Sequence, residues 1–182
     1  MTIYTFQATI HPRPDVVAAR PAWTLGAAAF PTLAGIPSQL GRGFERSFEE
    51  TGEALAQLPR MFFEPDGSFV WVTEENHDRR QVDGVLLDRD GRLMYVDVVG
   101  RCAPGELDSL LTTVGWPATR VMFQLRREAI FLDEAEFRRY ASSQYSAPDS
   151  PEAVHERTVP GKRRIVFPRL PARRFGPLLR RC

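Results

Sequence analysis

Within residues 81–100, Asp83 and Asp97 are the only acids set inside apolar, strand-like patterns. A carboxylate in such surroundings needs a partner, a proton or a metal ion. Two carboxylates facing one another would repel, and a shared proton or a bridging divalent cation relieves that repulsion. Their oxygen donors suit magnesium or manganese. Whether they face depends on the hairpin between them. A three-residue loop, Arg89-Asp90-Gly91, with Gly91 at positive φ, pairs Asp83 with Asp97 and Val85 with Tyr95. A two-residue Asp90-Gly91 loop sets Asp83 opposite Val98 and turns it to the other face from Asp97. The plain alternative is structural: Asp83 bonds nearby amides at a strand entrance, and Asp97 pairs with an arginine at a sheet end.

The elements that must position these acids follow from periodicity. Residues 3–10 read as a strand stopped by Pro12 and Pro14, and 15–20 as a short helix. Residues 23–37, rich in Ala, Gly and Pro, read as irregular. Leu40, Phe44, Phe48, Thr51, Leu55 and Leu58 mark one face of a helix ended by Pro59. Residues 68–73 form a strand of aromatic and β-branched residues. After the hairpin come a helix over 103–114, closed by Gly115, strands over 119–125 and 129–132, and a helix capped by Asp133 that runs to about Ser142. The expectation is a single α/β domain, residues 1–142, with a mixed central sheet and helices on its faces.

The remaining residues read as a flexible basic tail, 143–182. The chain carries 24 Lys and Arg against 23 Asp and Glu, a formal net charge of +1. From Ala141 onward nine basic residues meet three acids, which leaves fifteen basic against twenty acidic residues before it. The basic tail invites a nucleic-acid reading, because arginine neutralises phosphate whatever the base sequence. The blander reading is a solvated segment.

No run approaches the roughly twenty apolar residues of a membrane-spanning helix, and the first ten residues lack the pattern of a signal peptide. With two cysteines, Cys102 and Cys182, a cytoplasmic setting is the expectation: Cys102 a small buried residue and Cys182 a free thiol. His11, His77 and His155 have no ligand spacing. Ser68 has no nucleophile elbow, no Gly-rich phosphate loop is present, and Trp71 and Trp116 read as core.

The order helix, strand, strand, strand, helix, strand over residues 40–125, with an acid opening the second core strand and another on the third, resembles the core of the PD-(D/E)XK nuclease superfamily. The resemblance implies that Asp83, Asp97 and a helix glutamate, Glu45 ahead of Glu49, hold magnesium or manganese for phosphodiester hydrolysis. Val99 stands where the resemblance puts the lysine, so it implies a degenerate, inactive relative that keeps divalent-metal or nucleic-acid binding. Arg101, or Arg79 and Arg80, are candidates to supply the missing charge, although a guanidinium clamps phosphate better than it serves as a base. The other readings are a non-enzymatic structural or protein-interaction domain, and an active nuclease with a relocated basic residue. The stretch 63–71 also resembles a feature of uncharacterised bacterial proteins.

Overall fold

The computed structural model describes residues 2–35, 40–74 and 80–144. They belong to one compact unit, Met1–Ala147. The expected tail lies, apart from Ser143 and Gln144, outside the described residues. The elements are β1 (Tyr4–Pro12), β2 (Ala19–Leu25), β3 (Ala28–Leu33), α1 (Phe48–Ala56), β4 (Met61–Phe63), β5 (Ser68–Glu74), β6 (Arg80–Arg89), β7 (Arg92–Cys102), α2 (Pro104–Thr113), β8 (Val121–Leu125), β9 (Ile130–Asp133) and α3 (Glu134–Ser143).

The strands form one nine-stranded sheet in the order β2-β3-β9-β8-β1-β7-β6-β5-β4. A fold mixing helix and strand was expected. A mixed sheet was not found: among the described residues every strand pairing is antiparallel. The reason lies in β1. Strands β7 and β8, joined through α2, run parallel to each other as a crossover requires. The first strand inserts between them and pairs antiparallel with both. The expected helix–strand core order over residues 40–125 left no place for that insertion, nor for β4.

Residue parity explains the layers. Phe6, Ala8 and Ile10 of β1 are buried and pair with Gly100, Val98 and Val96 of β7. On that face Phe137 of α3 stacks on Phe123 with ring centroids 3.7 Å apart and meets Phe6 edge-on at 5.6 Å. Helix α1 lies on the same face, with Gly52 against the ring of Phe63. Helix α2 packs on α1 and is tied to α3 by Asp108–Arg138 at 2.6 Å. Among the described residues the helices therefore cover one face of the sheet rather than both.

Two other expectations are corrected. The helix expected from Leu40 begins only at Phe48, because Gly43 adopts φ +69° and the Phe44 amide bonds the Leu93 carbonyl at 2.7 Å. Its start is a capping box: the Ser47 hydroxyl accepts from the Glu50 amide, and the Glu50 carboxylate accepts from the Ser47 amide. Residues 19–33, expected to be helix and then irregular chain, form the β2–β3 hairpin turning at Gly26. Among the described residues no helix is long and apolar enough to cross a membrane.

Candidate functional site

The β6–β7 hairpin turns on two residues, Asp90 at φ +54° and Gly91 at φ +78°, with Arg89 opposite Arg92. The expected three-residue loop is thus corrected. Asp88 anchors the turn by accepting from the Gly91 amide at 2.9 Å. A two-residue turn alone would have put the aspartates on opposite faces. A bulge prevents this: Asp88 pairs with Leu93 but Leu87 pairs with Tyr95, so Met94 is the extra residue on β7. Leu93 and Met94 are consecutive and both buried, as a bulge permits. The slip restores the parity, and Asp83 lies opposite Val99 while Val85 lies opposite Asp97. The two acids share one face as diagonal rather than direct neighbours, a spacing of about 7–8 Å between backbones.

Among the described residues, that face carries no helix. By register Val70, Asp83, Val99 and Gln7 form one row across β5, β6, β7 and β1, and Ser68, Val85, Asp97, Thr9 and Gln124 form the next. Val70, Val85 and Val99 are 37%, 38% and 46% exposed, unusually high for valines in the middle strands of a sheet, and Phe62 next to Val70 is 62% exposed. They border a shallow cleft of about 370 Å³ that includes Asp83, Asp97 and Arg126. Gly84 makes the floor possible. A Cβ there would lie 2.3 Å from the Phe69 ring and 2.7 Å from the Asp97 carbonyl, so only glycine lets that buried ring lie under β6.

Asp97 has its own partners. The Thr9 hydroxyl, directly across on β1, donates to it at 2.5 Å, and Arg126 donates to its other oxygen at 2.9 Å. Asp83 accepts from the Gln81 side-chain amide at 2.7 Å. Among the described residues no group of three or more His, Cys, Asp or Glu is arranged to hold a metal ion. Glu45, expected on the helix beside the aspartates, lies before the α1 N-cap and lines a different cleft with Arg13 and Arg92. Glu49 is exposed in the first turn of α1.

The basic candidates are also placed. Arg80 is 6% exposed and forms a two-pronged ion pair with Glu106, at 3.0 and 3.3 Å. It has the parity of buried Val82 and so belongs to the helix-covered face, away from Asp83. Arg101 lies opposite Thr5 on β7, half-buried. Arg79 lies outside the described residues, as do His77, His155 and Cys182. His11, just past the expected end of the first strand at residue 10, is buried in β1. Its Nε2 lies 3.3 Å from the Gln124 side-chain oxygen, its Nδ1 has no partner among the described residues, and Tyr95 and Phe131 flank its ring. Burial lowers its pKa, which the Gln124 bond and Asp97 only partly oppose. Cys102 is buried as expected, and its thiol pKa is pushed up to about 12 by that burial.

Sequence reasoning missed Thr9 and Arg126, the residues that engage Asp97. A signal existed in β1, where apolar Phe6, Ala8 and Ile10 alternate with polar Thr5, Gln7, Thr9 and His11. Compared with models of protein families, with curated proteins and with solved structures, the chain matches none.

Proposed function

We propose that this chain is a non-catalytic interaction domain whose open sheet face receives a basic side chain of a partner protein. The observation that carries this reading is the setting of Asp83. Its neighbours on the open face are Val70 and Val99 across the strands and Val85 and Gln81 along its own; the three valines are each more than a third exposed, and Gln81 donates to one carboxylate oxygen and leaves the other to a partner. A carboxylate ringed by exposed valines complements an aliphatic stem ending in a positive charge, the chemistry of Lys or Arg. Arg126 stays at the rim because it is held by Asp97, which Thr9 in turn fixes. Val99 offers no proton-transfer group, which favours binding over hydrolysis.

Peptide-display selection against the full chain tests this. The selected peptides should carry Lys or Arg beside apolar residues and lose binding to Asp83→Asn and Val85→Glu. Peptides without basic residues, or binding indifferent to both substitutions, would overturn it.

A second reading keeps the nuclease resemblance, because the two aspartates share a face. It expects magnesium or manganese to raise the melting temperature and Asp97→Asn to abolish the rise. It also expects Val99→Lys to gain magnesium-dependent cleavage of DNA. The interaction reading expects no metal-dependent shift, since Asp97 is already engaged by an arginine and a hydroxyl. Nucleic-acid binding by residues 143–182 remains a separate proposal, tested by comparing the full chain with one ending at residue 147.

A further inference from the structure

Four adjacent strands, β8-β1-β7-β6, each place an arginine at the same end of the sheet. Arg120 immediately precedes β8, Arg13 immediately follows β1, Arg92 opens β7 and Arg89 closes β6. The Arg13 amide donates to the Arg120 carbonyl at 2.8 Å, and Arg89 pairs with Arg92 across the hairpin. The row is therefore fixed by sheet hydrogen bonding. Strands about 4.8 Å apart spread four such positions over about 14 Å. Arg42 joins them from the segment before α1.

The arginines line two adjoining grooves that share Arg42 and Arg92, one of about 330 Å³ and one of about 530 Å³. Asp15, Glu45 and Asp90 also line them, yet among the described residues none forms an ion pair with these arginines. The Arg92 guanidinium is steadied by donating to the Phe44 carbonyl at 3.2 Å. Among the described residues the other four guanidinium groups carry no such bond, and Arg42, Arg89, Arg92 and Arg120 are exposed. Five guanidinium groups gathered around three acids leave an excess of positive charge, and an anion relieves the repulsion among them. The concentration is selective: the first 140 residues hold more acids than bases, yet five bases meet three acids here.

We infer that this end of the sheet is a binding site for a linear phosphate anion, two or more phosphoryl groups in sequence. Guanidinium groups recognise phosphate oxygens through paired N–H donors, and a row at strand spacing suits a chain of phosphates better than a single one. Among the described residues no aromatic side chain lines either groove, which favours recognition of phosphate over a base.

Titration calorimetry of the full chain with inorganic tripolyphosphate tests the inference. The wild type should bind, and Arg13→Gln/Arg120→Gln should weaken binding by roughly tenfold or more. Glu45→Gln, which removes a negative charge from the cleft, should tighten it by about two- to fivefold. A melting curve checks the fold of each variant. If the double variant does not fold, exposed Arg42→Gln takes its place with a roughly threefold loss expected. Failure of the wild type to bind would overturn the site, and so would binding unchanged in the variants, which would trace it to basic residues elsewhere. Adenosine triphosphate and a ten-nucleotide single strand distinguish the source of the phosphates. Equal binding of the nucleotide and tripolyphosphate points to a small ligand. Tighter, steeply salt-dependent binding of the strand points to a nucleic-acid backbone.

Discussion

Glu106 performs two tasks, and its removal should cost more than removal of its partner. One oxygen caps α2 by accepting from the Ala103 amide at 2.5 Å, and both oxygens hold Arg80. Loss of a cap costs about 1 kcal/mol. Stripping the carboxylate from a buried guanidinium costs about 3–5 kcal/mol. Because the Glu106 side chain keeps 21% of its exposure, against 7% for Arg80, the pair is partly screened. The lower figure applies, and Glu106→Ala should destabilise by about 3–4 kcal/mol. Arg80→Met keeps the aliphatic stem and leaves Glu106 capping α2 with access to water, so about 1–2 kcal/mol is expected. Urea unfolding followed by tryptophan fluorescence measures both, with equal m-values as the check on two-state behaviour. Burial raises the Glu106 pKa, but bonds from Arg80 and the Ala103 amide outweigh it and hold the group below 4.5. The contribution is therefore present above about pH 4.5 and lost as pH falls through the folded-state value. A cost below 1 kcal/mol for Glu106→Ala, or a larger cost for Arg80→Met, would refute the reasoning.

Three further outcomes follow from single residues. His11 is held neutral by burial with its folded pKa below 6.5, so the unfolded chain takes up the proton first. Stability should fall as pH drops from 6.5 toward the folded value, by at most about 1.4 kcal/mol per pH unit. His11→Phe should flatten that slope in pH-dependent unfolding, and an unchanged slope would assign it to other groups. Cys102, with its thiol pushed up to about 12, should resist iodoacetamide in the native protein and react in urea, as read by peptide mass spectrometry. Asp97→Ala should cost about 2 kcal/mol through the lost Thr9 bond, whereas Arg126→Ala, removing a cation that is 59% exposed, should cost under about 1 kcal/mol in thermal unfolding.

Strong local patterns made much of the fold legible. The run 103–114 with its closing Gly115 marked α2, Asp133 marked the cap of α3, and the β-branched runs marked β5 to β8. Alanine-rich β2 and β3 carried too little alternation to be read as strands, because alanine fits helix, strand and loop alike. Phe44 and Phe48 fell on a helical period although Gly43 breaks the helix between Leu40 and Ser47. The Ser47–Glu50 capping box was the better marker of its start. The insertion of β1 between β7 and β8 is a long-range event that no local spacing encodes. The site was legible in part. The shared face of Asp83 and Asp97 was right for the wrong loop: a two-residue turn and a bulge each shift the register by one, and the two shifts together preserve the parity. The partners of Asp97 come from β1 and from the residue after β8, 88 and 29 positions away, beyond the reach of spacing arguments.

The central claim is that Asp83 and its valines form a receptor for a basic side chain and not a metal site. The most direct measurement is an amide ¹⁵N–¹H correlation spectrum of the full chain titrated with n-butylguanidinium, then separately with manganese. The account predicts saturable shifts at Val70, Asp83, Val85 and Val99 with the guanidinium, absent in Asp83→Asn, and no selective broadening at Asp83 and Asp97 with manganese. No shifts at these valines, or manganese broadening centred on the two aspartates, would contradict it.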